Sequence, residues 1–192
     1  HYLDDPDRLT DPMIATGEEE GPRHRLATWK DSLAKTQEAL SKLEAKHIAI
    51  VASAKMTNEE LVLVKRLADA IGTENLDVIP RQHTGDDYLI SSDGNPNTNG
   101  AKRILGNNRP GSKLGGIKKD LEKGQIKGLL VFGEDLTTEE AGFNTESLAK
   151  AEFLLLSHIS ANPTAEHATV VLPSAGWAEK RGSMINVTGR LQ

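Results

Sequence analysis

Apolar residues in this chain fall into short unbroken runs separated by stretches with helical spacing. The run "HIAIVAS" (47–53) is continuous and rich in branched side chains, as expected of a strand buried on both faces of a parallel sheet. The next stretch, "MTNEELVLVKRLADAIG", begins with Thr57-Asn58-Glu59-Glu60, a capping box in which the Thr and Glu side chains satisfy each other's backbone amides. Leu61, Val64, Leu67, Ala68 and Ile71 recur on one face, and Gly72 supplies a stop. A second strand is predicted in "NLDVIPR" (75–81). Strand, helix and strand in this order make a βαβ unit with a right-handed crossover.

Upstream, Thr28 can cap a helix whose apolar stripe is Trp29, Leu33, Leu40 and Leu43. Residues 1–27 carry Pro6, Pro12, Pro22 and Gly21 without an apolar period, and read as an extended arm. The middle, 82–112, is rich in Asn, Gly, Pro and Asp; a loop this long inside a domain is usually functional. Short helices are predicted near 99–105 and over 113–123, and part of "LTTEEAGFNTESLAKA" is helical. Strands follow at 127–135, 153–159 and 169–173. The pattern predicts an α/β fold, a mostly parallel, doubly wound Rossmann-like sheet of about five strands with helices on both faces. It divides into an arm (1–27), an α/β domain (28–176) and a C-terminal strand segment (177–192). In that segment Gly182 and Gly189 stand at expected bends.

Composition narrows the function classes. The 192 residues are 37% hydrophobic and 27% charged, and no apolar run is long enough for a bilayer. No leader is visible, and His1 in place of Met suggests a trimmed chain. The absence of cysteine removes disulfides, thiolate metal sites and thiol nucleophiles; it fits a cytoplasmic setting. A net charge of −5 and 4% aromatic residues argue against nucleic-acid binding. Acid concentrates in the first twenty residues (Asp4, Asp5, Asp7, Asp11, Glu18, Glu19, Glu20), base between Lys102 and Lys127. These read as solvated faces or, more sharply, as a docking patch for an acidic neighbour or a phosphate.

Ligands of open parallel sheets sit outside the carboxyl ends of the strands. Those ends carry Ser53, Thr57, Asn58, His83, Asp86, Asp87, Glu134, Asp135 and His158. No G-x-G-x-x-G turn follows the first strand, and "GSKLGG" (111–116) lacks the Lys-Ser/Thr ending of a phosphate loop. His158 and His167 read as ordinary hydrogen-bonded histidines, and none of Ser53, Ser157 and Ser174 sits in G-x-S-x-G. Asp86-Asp87 is either a paired acid site or a turn signal. No catalytic residue and no metal ligand is assigned.

Several motifs occur together in order: "RLTDPM" (8–13), "TWKDSL" (28–33), "NEELVLVKRLADAIGTENLD" (58–77), "NPNTNGA" (95–101) and "VVLPSAGWAEKRGSMINVTGRLQ" (170–192). Together they resemble the molybdopterin oxidoreductase superfamily, in particular the C-terminal region of the large iron–sulfur subunit of NADH:quinone oxidoreductase (complex I), in its bacterial or its mitochondrial 75 kDa form. The likeness extends to formate dehydrogenase. It implies iron–sulfur clusters in an upstream part of a parent protein and none in this chain. The implied partners are those iron–sulfur domains and other peripheral-arm subunits, at the cytoplasmic side of the inner membrane without direct insertion.

Catalytic members of that superfamily hold a pterin cofactor along these strand ends. The matching positions here are Ser53, Asn58, Asn97, Gly133 and Asp135, expected as vestigial cofactor contacts. Gly133-Glu134-Asp135-Leu136 stands where relatives often have Gly-x-Asn-Pro, and Ala168-Thr169 where Ala-Asp often precedes Val-Val-Leu-Pro. Acidic side chains at 134 and 135 are expected to repel a pyrophosphate-linked cofactor. The expectation is a non-catalytic structural and interaction domain with its cofactor site lost. The alternatives are a pterin-binding fragment of a molybdenum or tungsten oxidoreductase such as formate dehydrogenase, and a stand-alone sensor of nucleotides or small molecules.

Overall fold

The computed structural model describes residues 5–17, 23–86 and 88–192. Its strands are β1 (Met13–Ala15), β2 (His24–Leu26), β3 (Ile48–Ala52), β4 (Leu76–Val78), β5 (Gly128–Phe132), β6 (Phe153–His158) and β7 (Val170–Pro173). The helices are α1 (Trp29–Ser41), α2 (Asn58–Ile71), α3 (Thr98–Leu105), α4 (Leu114–Glu122) and α5 (Thr145–Leu148). Every residue of β3 is buried. Being apolar on both faces, β3 has to lie inside the sheet with a layer above and below. It pairs in parallel with β4 on one side (Ile50 opposite Leu76) and with β5 on the other (Ala49 opposite Leu129).

The sheet runs β2-β1-β7-β6-β5-β3-β4. The five strands from β7 to β4 are parallel, while β1 and β2 are antiparallel. Among the described residues seven strands therefore replace the expected five or so, and both additions come from the segment read as an arm. Ile14 pairs with Val170 and is buried at 8% exposure, so β1 covers the edge of β7 that would otherwise expose unpaired amides. Three-residue strands are too short to show an alternating period, which is why the sequence pattern missed them.

Side chains alternate between two cores. Ala49, Val51, Leu129, Val131, Leu154 and Leu156 face α4, where Leu114, Ile117 and Leu121 meet them. Ile50, Ala52, Leu130 and Leu155 face α2, which contributes Leu61, Val64 and Ala68. Helix α2 follows its predicted pattern in full. Thr57 and Glu60 form the capping box, and Gly72 ends the helix at φ +82°, a left-handed conformation that costs glycine nothing.

Helix α1 keeps its predicted face at Leu40 but not at its N-terminal half. Thr28 caps it, accepting from the Asp31 amide at 3.1 Å. The side turned to the sheet, however, carries Ser32, Ala39 and Leu40, with Ser32 at 0% exposure. Trp29 and Leu33 are 50% and 54% exposed. The two faces share Leu40; the observed one is rotated toward Ser32 and Ala39, whose small side chains allow the closer approach to the sheet.

The C-terminal segment also differs from expectation. Residues 177–192 do not extend the sheet, because β1 already occupies the edge beside β7. They cross the N-terminus of α2 and close in an antiparallel bridge between Ile185 and Leu191. Gly189 does turn the chain at φ +82°. Gly182 instead lies so close to α2 that a Cβ would stand 2.6 Å from Thr57 Cβ. No helix among the described residues is long and apolar enough to cross a membrane.

One buried acid organises the connection back to β5. Asp77 in β4 is fully buried and accepts from the Gly111 and Lys113 amides at 2.9 and 2.7 Å and from Asn107 Nδ2 at 3.0 Å. Asp77→Ala leaves those donors without a partner and should cost at least about 2 kcal/mol. Urea unfolding of the variant against the parent measures it.

Candidate functional site

The chain leaves β3 through α2 to β4 on one side, then returns through α3 and α4 to β5 on the other. Connections that diverge in this way leave an opening between the ends of β3 and β5, the switch point where α/β folds bind ligands. A cleft of about 380 Å³ lies there. Ser53, Lys55 and Met56 after β3, Phe132 and Gly133 at the end of β5, Ser157 and His158 at the end of β6, and Trp177 and Lys180 from the tail line it.

Gly133 turns the chain out of β5 at φ +71°, a conformation other residues reach only with strain. A side chain at this position would also meet Ser53, whose Cβ lies 3.2 Å from a built Cβ. Ser53 Oγ accepts from the Lys55 amide at 3.1 Å. Lys55 is exposed and has no carboxylate partner among the described residues. Lys180 pairs with Glu60 at 2.9 and 3.0 Å. The Ser160 amide donates to His158 Nδ1 at 3.2 Å. Among the described residues no serine hydroxyl of the cleft is hydrogen-bonded to His158, so nothing there has the arrangement of an activated nucleophile. Glu60 also lines the cleft and offsets Lys180, so the uncompensated ammonium is that of Lys55; with several hydroxyls and an apolar floor it suits an anionic ligand with a flat or apolar body.

The acidic turn after β5 behaves differently from the repulsive surface expected of it. Glu134 is 1% exposed. Arg81, from the end of β4, donates Nη1 to Glu134 Oε1 at 2.9 Å and Nη2 to Oε2. The carboxylate in turn raises the guanidinium above its ordinary range, against the opposing effect of burial. A paired, buried carboxylate projects little charge into the neighbouring cleft. Asp135 is tied back as well: it accepts from the Thr137 amide at 3.0 Å and from the Thr164 and Thr137 hydroxyls at 2.8 Å. Burial tends to raise its carboxyl, and these donors outweigh that and hold it below the usual carboxylate range.

Of the five positions expected to touch a cofactor, Ser53 and Gly133 line the cleft. Asp135 is occupied in its own turn. Asn58 and Asn97 instead fasten the chain to itself. Asn97 is fully buried, donates Nδ2 to Met56 O at 2.8 Å and to Asn58 Oδ1 at 3.1 Å, and accepts from the Ile185 amide at 2.7 Å. Asn58 Nδ2 donates to Ser183 Oγ at 3.1 Å. Buried carboxamides are spent on whichever backbone groups lack partners, and here those belong to the tail. Asp86 accepts from the Tyr88, Leu89 and Ile90 amides, which makes it a turn residue; Asp87 lies outside the described residues. Lys55 sits directly after a strand and could have been found from that position. Trp177 and Lys180 carried no such signal, because their place depends on the tail folding back. They also border a second cavity of about 500 Å³, between the tail and the loop at 91–96.

Comparison with known proteins adds to this geometry. A family model described as molybdopterin oxidoreductase matches residues 94–192, a little over half the chain. The F420-dependent formate dehydrogenase 2 subunit alpha of Methanococcus maripaludis is 39% identical over 70 residues, 35% of this chain and 10% of that protein. The probable oxidoreductase YjgC of Bacillus subtilis is 32% identical over 85 residues, 43% of this chain and 9% of that protein. The putative formate dehydrogenase YrhE of Bacillus subtilis is 31% identical over 74 residues, 38% of this chain and 8% of that protein. The chain thus spans about a tenth of the length of the curated relatives it matches.

Removing one partner of a buried ion pair strands the other, whereas replacing both with apolar groups does not. Arg81→Met should therefore destabilise by about 3 kcal/mol, and the double variant Arg81→Met, Glu134→Leu should recover most of that loss in denaturant titrations. Asp135, with a lowered folded value, contributes stability that is present above about pH 4 and lost as pH falls through that lower value. Thr164→Val removes a donor to this carboxylate and should flatten the acid side of the stability–pH curve, as read by thermal melts between about pH 2 and 5.

Proposed function

This chain belongs to the molybdopterin oxidoreductase family, and from that premise we propose that it forms part of the wall of a pterin-cofactor site in a molybdenum- or tungsten-dependent oxidoreductase of the formate dehydrogenase type. The observation that carries the reading is the cleft at the β3–β5 switch point, where Lys55 and Lys180 face an opening edged by Ser53, Gly133 and Ser157. The residues present fit a phosphate-bearing cofactor. The expected obstacle, Glu134, is neutralised by Arg81, and Gly133 keeps the backbone open to close approach.

When bound, such a group supplies two-electron redox chemistry at its metal. This chain's own contribution is to bind and orient: Lys55 offsets phosphate charge, joined by Lys180 where the ligand displaces Glu60, the hydroxyls of Ser53 and Ser157 donate, and Trp177 borders the mouth. No cysteine stands in this chain to hold an iron–sulfur cluster, so any such carrier would be held by another part of the parent protein or by a partner subunit.

A second reading keeps the fold and drops the cofactor: a supporting domain in the large iron–sulfur subunit of an NADH:quinone oxidoreductase. It is favoured by the sequence motifs that resemble that subunit and by the lack of a cysteine that could ligate a metal. The formate-dehydrogenase-type relatives lend it no support.

Anaerobic purification of the parent protein from its native host separates the two readings. Mass spectrometry for molybdenum and tungsten, with pterin fluorescence after oxidation, should find both metal and pterin in stoichiometric amount, and Lys55→Met should retain several-fold less pterin. A parent protein free of metal and pterin would favour the supporting role.

A further inference from the structure

Between β7 and the N-terminus of α2 the chain runs along the surface, with Trp177, Ala178 and Glu179 exposed. Behind the crossing, the Ser174 amide donates to His158 O at 3.0 Å. Ahead of it, Ser183 is fixed to α2: its amide and hydroxyl each donate to Glu59 at 2.8 Å, and its carbonyl accepts from the Asn58 amide at 2.8 Å. Gly182 abuts Thr57 so tightly that only a glycine fits. In between, the side-chain attachments of Trp177–Gly182 to the body, among the described residues, are two ion pairs, Glu179 with Arg8 and Lys180 with Glu60. Trp177 itself is 74% exposed. Both cavities, about 380 and 500 Å³, are bordered by Trp177 and Lys180, so this short crossing is the partition between them.

We propose that Trp177–Gly182 is a charge-latched flap, and that its Lys180 is a specificity-determining cation exchanged between Glu60 and an anionic group in the strand-end cleft. The second half rests on the reading of the cleft as an anion site. The latch is suited to exchange because it is partly exposed: the Lys180 and Glu60 side chains retain 21% and 34% of their accessibility. Pairs of this kind are weak and screened by salt, unlike the enclosed Arg81–Glu134 pair. Glu60 serves two purposes that can be separated. Its Oε2 accepts from the Thr57 amide at 2.7 Å as part of the capping box, a role glutamine also fills, while only the carboxylate holds Lys180 by charge. Glu60→Gln therefore keeps the cap and opens the latch. A ligand that arrives with its own negative charge replaces what Glu60 supplies, and lifting the flap joins the two cavities into one trough along the N-terminus of α2.

Hydrogen–deuterium exchange on the full chain, combined with titration of inorganic pyrophosphate followed by Trp177 fluorescence in a Trp29→Phe background, tests both halves. Glu60→Gln should speed amide exchange across 177–182 by about threefold or more while exchange in α2 stays unchanged, and should tighten pyrophosphate binding by about two- to fivefold. Lys180→Met should speed the same exchange but weaken pyrophosphate. Unchanged exchange at 177–182 in Glu60→Gln overturns the flap, whatever pyrophosphate does. Faster exchange with no pyrophosphate binding by any variant upholds the flap and overturns the anionic cleft. Equal pyrophosphate affinity in the parent and Lys180→Met overturns the role given to Lys180.

Discussion

Parallel pairing of β3 on both of its edges constrains everything else in this fold. A strand apolar on both faces can be buried only if helices cover the sheet above and below, and its two parallel neighbours can be reached only by crossovers that leave in opposite directions. The divergence of α2–β4 from α3–α4–β5 follows. So does the opening between the ends of β3 and β5, which no packing of side chains within the sheet can fill. The cleft is a consequence of topology before it is a feature of any particular residue.

Residues then decide what that opening can accept. Two ion pairs near it differ in burial, and that difference separates structure from function. Arg81 and Glu134 meet where Glu134 has almost no exposure, so each is indispensable to the other and neither is available to a ligand. Lys180 and Glu60 meet at the rim with solvent close by, so the same chemistry there is replaceable. The turn at Gly133–Leu136 looks acidic in sequence yet contributes little free charge to the cleft, because Arg81, Thr137 and Thr164 have already claimed its oxygens.

The C-terminal segment links the fold to this site. With β1 seated against β7, residues 177–192 find their partners at the N-terminus of α2 and on Asn97. The "NPNTNGA" and "MTNEE" motifs, distant in sequence, serve as the two halves of the seat. Membership of the molybdopterin oxidoreductase family fits a domain whose strand-end loops and tail jointly frame a cleft.

Much of this was legible in the amino-acid order. Continuous apolar runs gave away β3, β5, β6 and β7, and the Thr57–Glu60 box with Gly72 marked both ends of α2, because these signals are local and each is satisfied within one element. Ser53 and Gly133 were identifiable as cleft residues for the same reason, by standing where strands end. Sequence could not tell how far the buried face of α1 is rotated from Leu33 toward Ser32 and Ala39, since helical spacing fits both and only the distance to the sheet separates them. Nor could it foresee that Asn58 and Asn97 would be consumed by the tail, that Glu134 would be neutralised from 53 residues away, or that Lys180 would reach the cleft. Local propensity and periodicity determined the elements; the pairing of charges and amides across the sheet, which depends on which loops meet at the strand ends, was decided only by the tertiary structure.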